Sequence, residues 1–180
     1  MMRRAFLTVS IFLAGCGGAA APDPRSFDLG PNAPGPVLPP VRIGLVRAVA
    51  PFDALDMHYR LAYRNAAEIA AFAISRWAAA PADMLRKQLL RAAGEGSAKC
   101  ALGIEIQEFT QVFLSKAESE ARIEVRVALT QGAVMRSKQF SLAEANAGPD
   151  AESGTAAFAR AVNRAIGDIG AWVAAQPDCR

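Results

Sequence analysis

The chain has 180 residues, 52% of them hydrophobic and 21% charged, with a formal net charge of +3 and a single histidine. That length suits one domain with an appended segment. A near-neutral balance with no long basic run argues against a nucleic-acid binder, and a lone histidine leaves a His-based metal site or proton relay little to work with.

Arg3 and Arg4 make a short basic start, followed by an apolar run from Phe6 to Ala14. That run is far below the roughly 20 residues a spanning helix needs, so it reads as a signal-peptide core. It ends in Leu13-Ala14-Gly15-Cys16, which has the form of a bacterial lipobox. Residues 1–15 are therefore expected to be a lipoprotein signal peptide, with Cys16 carrying a diacylglycerol and an N-acyl chain. Each buried methylene contributes about 0.8 kcal/mol, and two or more chains anchor stably where one does not. Gly17 stands where an aspartate would favour inner-membrane retention, so the expected location is the outer membrane, facing the periplasm. The competing reading is an ordinary secretory signal with Cys16 a bystander.

Residues 16–40 read as a tether, rich in proline from Pro22 to Pro40 and in glycine. Such a composition favours extended conformations, and residues 17–40 could span roughly 75 Å at about 3.1 Å each. One patch, Ser26 to Gly30, carries Phe27 and Leu29 and could dock on the body as a short strand.

The folded body is expected over 41–176. Val41, Ile43 and Leu45 alternate with Arg42 and Gly44, predicting a strand that ends at Pro51. Met57, Tyr59, Leu61 and Tyr63 alternate with His58, Arg60, Ala62 and Arg64, predicting a second strand with one apolar and one basic face. Residues 68–77 fit either a helix or a strand face through Phe72 and Ile74. Pro81 suits the first turn of a helix carrying Leu85, Leu89 and Ala92, with Gly94 and Gly96 to end it. Strands follow through Leu102, Ile104 and Ile106, then through Ile123, Val125, Val127 and Leu129. After a turn at Gln131-Gly132 comes a strand with Phe140 and Leu142 inward. Phe158, Val162, Ala165, Ile169 and Trp172 form a single helical stripe, read as covering the sheet rather than lying on a membrane. The fold class is α+β: a single domain with a mostly antiparallel or mixed sheet of about five to six strands packed against two helices.

Candidate chemistry is sparse. Cys100 and Cys179 could form a disulfide in an oxidising compartment or remain separate thiols. Glu105 with Glu108, or Glu118 with Glu120, could be imagined as acid–base pairs, but charged residues beside amphipathic strands are usually the solvated side. No metal-ligand spacing and no nucleophile–base pair stands out, so a non-enzyme is expected. Arg60, Arg64 and Arg76 lie near Tyr59, Tyr63 and Trp77, a composition found at interfaces and suited to phosphate. They are the candidate partner- or lipid-binding residues, with Arg60 and Arg64 predicted on one strand face. The alternative places the aromatics in the core and the arginines on the wet side.

Several segments together resemble the ABC-type transport auxiliary lipoprotein family, which includes PqiC-like outer-membrane lipoproteins. They are the lipobox, Phe27-Asp28-Leu29-Gly30, Ile43 through Val49-Ala50-Pro51, residues 57–64 (MHYRLAYR), Ser75-Arg76-Trp77-Ala78 with Pro81, and the terminal helix near Trp172-Val173. The resemblance favours a strand over 68–77. It implies a non-catalytic, lipid-anchored component of a system built from an ABC ATPase, a permease and an MCE-domain protein, moving phospholipids or other lipids between membranes. Such a component would dock the periplasmic MCE assembly and could form a homo-oligomer, with no cofactor beyond the acyl chains on Cys16. Alternatives from other classes are a lipid carrier and a pilot lipoprotein for another envelope complex.

Overall fold

In the computed structural model, which describes residues 23–31, 38–146 and 148–179, seven strands and three helices follow in order. They are β1 (Arg25–Phe27), β2 (Arg42–Ala48), β3 (Asp56–Leu61), α1 (Ala62–Asn65), β4 (Ala70–Trp77), α2 (Pro81–Ala92), β5 (Ala101–Phe113), β6 (Ser119–Gln131), β7 (Val134–Ala145) and α3 (Ala151–Ala174). A 3-10 turn, Pro177–Cys179, closes the described chain.

All seven strands share one mixed sheet in the order β1-β4-β3-β5-β6-β7, with β2 also paired to β5. Strand β5 is the reason for that exception. Its first half pairs in parallel with β2, from Arg42 opposite Ala101 to Ala48 opposite Ile106. Its second half pairs in parallel with β3, from His58 opposite Thr110 to Leu61 opposite Phe113. Thus β2 and β3 lie end to end along one edge of β5, and the full-length antiparallel β6 takes the other. The fold is α+β, as the pattern of one-sided strands and helices predicts, with one strand beyond the expected five to six. The extra strand is β1, the Ser26–Gly30 patch of the supposed tether, which adds in parallel to β4 with Phe27 opposite Trp77.

Helices cover one face. On α3 the residues Phe158, Val162, Ala165 and Ile169 are buried against β6 and β7. Alanine and glycine between them, at Ala157, Ala161 and Gly170, let the helix lie close. Trp77, Phe109 and Phe158 form an aromatic joint, with Phe109 stacked on Phe158 at 4.5 Å and Trp77 edge-on to both. Each such side chain contributes roughly 1.5–3 kcal/mol by leaving water, with more from ring geometry. Helix α3 starts where it does because Asp150 accepts hydrogen bonds from the Ser153 amide at 2.7 Å and the Ser153 hydroxyl at 2.8 Å. Those bonds hold the Asp150 carboxyl below its usual range. Helix α2 carries Pro81 in its first turn and buries Met84, Leu85 and Leu89.

The body begins earlier than residue 41. Leu38 is fully buried, and its amide donates to the Ala92 carbonyl at 2.7 Å. Gly94 permits this approach, since a Cβ there would sit 2.6 Å from the Leu38 carbonyl oxygen. Leu29 and Val41 are buried as well.

Three side-chain assignments differ from the periodicity. Leu45 is 69% exposed rather than inward, because a register shift between Ile43 and Val46 inverts the remainder of β2. Ile74 is exposed while Phe72 packs on the core, across a register irregularity between β3 and β4. Tyr63 and Arg64 are not strand residues: the chain leaves β3 at Leu61 and turns into α1, which exposes both.

Cys100 and Cys179 are joined in a disulfide, with Cα atoms 5.4 Å apart across a sequence separation of 79. It ties the start of β5 to the turn after α3. We expect Cys179→Ser to lower stability by about 2–4 kcal/mol, from loop-closure entropy restored to the unfolded chain. Urea denaturation of wild type with and without reductant, compared with the variant, checks this: reductant should move the wild-type midpoint to that of the variant and leave the variant unchanged.

Candidate functional site

Cys16, the expected lipidation site, lies outside the described residues. The three candidate arginines do not form one cluster. Arg60, on the central strand β3, donates from Nε and Nη2 to the two oxygens of Glu108, at 3.0 and 3.2 Å. Its Nη1 donates to the carbonyls of Ala66 and Ala67, at 3.4 and 3.3 Å. The guanidinium is thereby spent on fixing the segment after α1, and Arg60 is only 22% exposed. Arg64 stands on the exposed surface of α1, with no ion pair among the described residues. The sequence places it beside Arg60 only if the strand continues, and it does not. Arg76 donates to the Ser26 hydroxyl at 3.2 Å, helping to fasten β1. It sits opposite Asp56, four residues along β3 from Arg60, or about 13 Å at strand spacing.

The neighbouring aromatics are structural with one exception. Trp77 belongs to the aromatic joint, and Tyr59 contacts Phe72 and Phe113 at 4.8 and 5.9 Å between ring centroids. Tyr63 is 42% exposed.

Three of the four paired carboxylates are partners of arginines rather than of each other, and Glu118 has no ion pair among the described residues. Glu105 is bound by Arg47, Glu108 by Arg60 and Glu120 by Arg122. Glu108 also accepts from the Thr110 hydroxyl. No group of three or more metal-ligating side chains occurs among the described residues.

His58 is on neither an edge strand nor an open surface. Strand β3 is internal, and the imidazole meets Phe52 edge-on at 5.7 Å. Burial pushes its pKa below the ordinary histidine value, partly opposed by Asp56, and its Nδ1 is buried with no hydrogen-bond partner among the described residues. The site disfavours the imidazolium.

Sequence reasoning missed the sheet face opposite the helices. Near the start of β5 this face forms an open cleft of about 470 Å³, lined by Leu45, Arg47, Gly103, Glu105, Arg126, Ala128, Met135 and Ser137, together with Ile104. In register, Gly103 lies opposite Ala128, which lies opposite Ser137. The walls are Leu45 and Met135, each 69% exposed. The alternating pattern reveals neither wall. Leu45 is outward only through the β2 register shift, and β7 begins with Val134-Met135, too short a run to assign a face.

Two outcomes test this geometry. Arg60→Ala leaves Glu108 part-buried without its ion pair and should cost about 1–3 kcal/mol in chemical denaturation, whereas Arg64→Ala should stay within about 0.5 kcal/mol of wild type. For His58 the unfolded state binds the proton more readily than the folded one. Stability should therefore fall as pH is lowered from about 6.5 and level off below the folded pKa. His58→Gln should remove that slope from denaturation midpoints measured between pH 7 and 5.

No protein-family model and no curated protein matches the chain. Its fold is similar to the crystal structure of protein XCC0632 from Xanthomonas campestris, of the DUF330 family, with a TM-score of 0.66. The identity there is 19%, over 82% of this chain and 90% of the other. A second crystal structure, of an uncharacterized protein, is similar with a TM-score of 0.63 and 13% identity, over 84% of this chain and 99% of the other. At these identities the likeness establishes a shared fold.

Proposed function

We propose that the protein is a lipid-anchored, non-catalytic auxiliary component of an ABC transporter linked to an MCE-domain protein. In this reading it docks the periplasmic MCE assembly at the outer membrane while lipid passes between the two membranes. The observation that carries the reading is the Leu13-Ala14-Gly15-Cys16 lipobox standing in front of a one-sided α+β domain. The domain shares its fold with a DUF330 protein, a family to which PqiC-like lipoproteins belong.

The place where the body starts refines the mechanism. Strand β1 begins at Arg25, nine residues after Cys16. Phe27 packs on the core, and Arg25 pairs with Glu152 of α3 at 2.7 Å. An extended link of that length spans at most about 30 Å, well under half the roughly 75 Å expected of a tether through residue 40. The acyl chains on Cys16 would hold the domain close to its membrane, so a periplasmic partner comes to the domain and the domain does not reach across to it. Energy for transport comes from the ATPase, since this chain has no Walker-type Gly-rich loop. The arginine-bound carboxylates favour a binding role over acid–base chemistry.

The test is Cys16→Ser with envelope fractionation and affinity capture after crosslinking in cells. Wild type should sediment with outer membrane and recover an MCE-domain protein, and the variant should move to the soluble periplasmic fraction. Equal membrane association of the two proteins, or repeated captures without any MCE-domain protein, would contradict the reading.

A further inference from the structure

We propose that the open cleft between Leu45 and Met135 is a docking surface for an acidic segment of a partner protein, which seats one apolar side chain over Gly103. That the partner is periplasmic rests on the lipoprotein reading above; the surface itself does not.

The fold leaves one face of the sheet uncovered, and that face is partly apolar. Both helices that build the core lie on the other side, yet this face carries Leu45 and Met135 at 69% exposure. Singly exposed apolar residues are ordinary, but two facing each other across a recess are a feature of interaction sites.

Gly103 lies on the floor of the cleft. Glycine within a strand weakens it relative to alanine, and it often marks a place where another molecule approaches. Here the fold does not require it. A Cβ at Gly103 would meet the carbonyl oxygens of Leu45 and Ala128 at 3.6 and 3.9 Å, which is ordinary contact, and its backbone is not in the left-handed region. Gly44 in the neighbouring strand is different, since a Cβ there would stand 3.2 Å from the Leu102 carbonyl. Gly103 therefore keeps a recess open that the sheet itself has no reason to keep.

The charge of the lining favours one kind of occupant. Glu105 accepts from Arg47 through one oxygen and from the Gln107 amide through the other. Arg126 lines the same cleft with no ion pair among the described residues. Arg42, outward at the start of β2 and one row away, is also without one. The lining thus presents two guanidinium groups against a single carboxylate, Glu105, which is already engaged, and that balance complements an acidic partner and guides its approach. Concavity selects between occupants. A bilayer is engaged by protruding side chains and would leave the recess above Gly103 and Ala128 unfilled, whereas a single apolar side chain of a protein fills it. Such an anchor in a pocket, ringed by polar contacts, is how interfaces concentrate their energy.

The experiment places a photocrosslinking benzoylphenylalanine at Ser137 of the full-length protein in cells, with a control at exposed Arg86 on α2. We expect a discrete protein adduct at position 137 and not at 86. Its crosslinked peptide should carry an apolar residue flanked by aspartate or glutamate. Gly103→Leu, which fills the recess, and Arg126→Glu, which reverses the rim charge, should each reduce the adduct at least tenfold. Gly103→Ala serves as the folded intermediate and should reduce it partially. The proposal is overturned by phospholipid adducts, by adducts to a second copy of this chain, by no adduct, or by an adduct indifferent to all three variants. If the mapped partner fits this chemistry but has no MCE domain, the docking surface stands and the transport reading falls.

Discussion

Phe109 of β5 stacks on Phe158 of α3, and Trp77 of β4 closes on both rings. This contact fixes which face of the sheet is sealed, because α3 is a single helix and can cover only one side. The long strands β5 and β6 then send their aliphatic residues toward that side. Ile104, Ile106, Ile123 and Val125 do so and are buried, as are Phe140 and Leu142 of β7. Whatever apolar character remains on the opposite side is left for something other than the fold to cover. The burial that stabilises the domain and the surface available to a partner thus follow from the same asymmetry.

Much of this was legible from alternation. The strand through Ile123, Val125, Val127 and Leu129 and the stripe through Phe158 and Ile169 announce themselves, since their side-chain period matches their structure over many residues. The helix at Pro81 is equally clear from its first-turn proline and its leucine spacing. The register shift at Ile43–Val46 was not legible, because an irregularity changes phase without changing residue type, and Leu45 and Val46 are both apolar. The end of β3 was hidden for a related reason: MHYRLAYR alternates perfectly, yet the chain turns after Leu61 and Arg60 reaches back to the carbonyls of Ala66 and Ala67. A pairing of Arg60 and Arg64 inferred from period two therefore fails at a turn that period two does not encode. Of the candidate site, the arginines were visible as residues, but their partners Glu108 and Ser26 come from other elements.

The N-terminal segment shows how composition can mislead about length. Proline and glycine mark residues 16–40 as resisting a packed structure, but Phe27, Leu29 and Leu38 within that stretch each find a place in the core or against it. Three apolar side chains are enough to recruit the segment, since β4 offers an unpaired edge and Gly94 admits the Leu38 carbonyl. A short link to Cys16 gives the lipoprotein reading a geometry. In that reading the domain would stand near its membrane, with its open face left free for a second protein.

The most direct test is a comparison of solvent access at the open face in isolation and in place. A Ser137→Cys variant, in which the native Cys100 and Cys179 are already bonded to each other, would be labelled with a membrane-impermeant maleimide. One sample is the purified protein and the other is intact outer membrane with its periplasmic partners retained. Rapid labelling of the purified protein and protection of at least several-fold in the envelope are expected. Protection should be lost when Arg126→Glu is added. Equal labelling rates in the two settings would mean that nothing covers this face, and the proposed division between a sealed face and a docking face would be wrong.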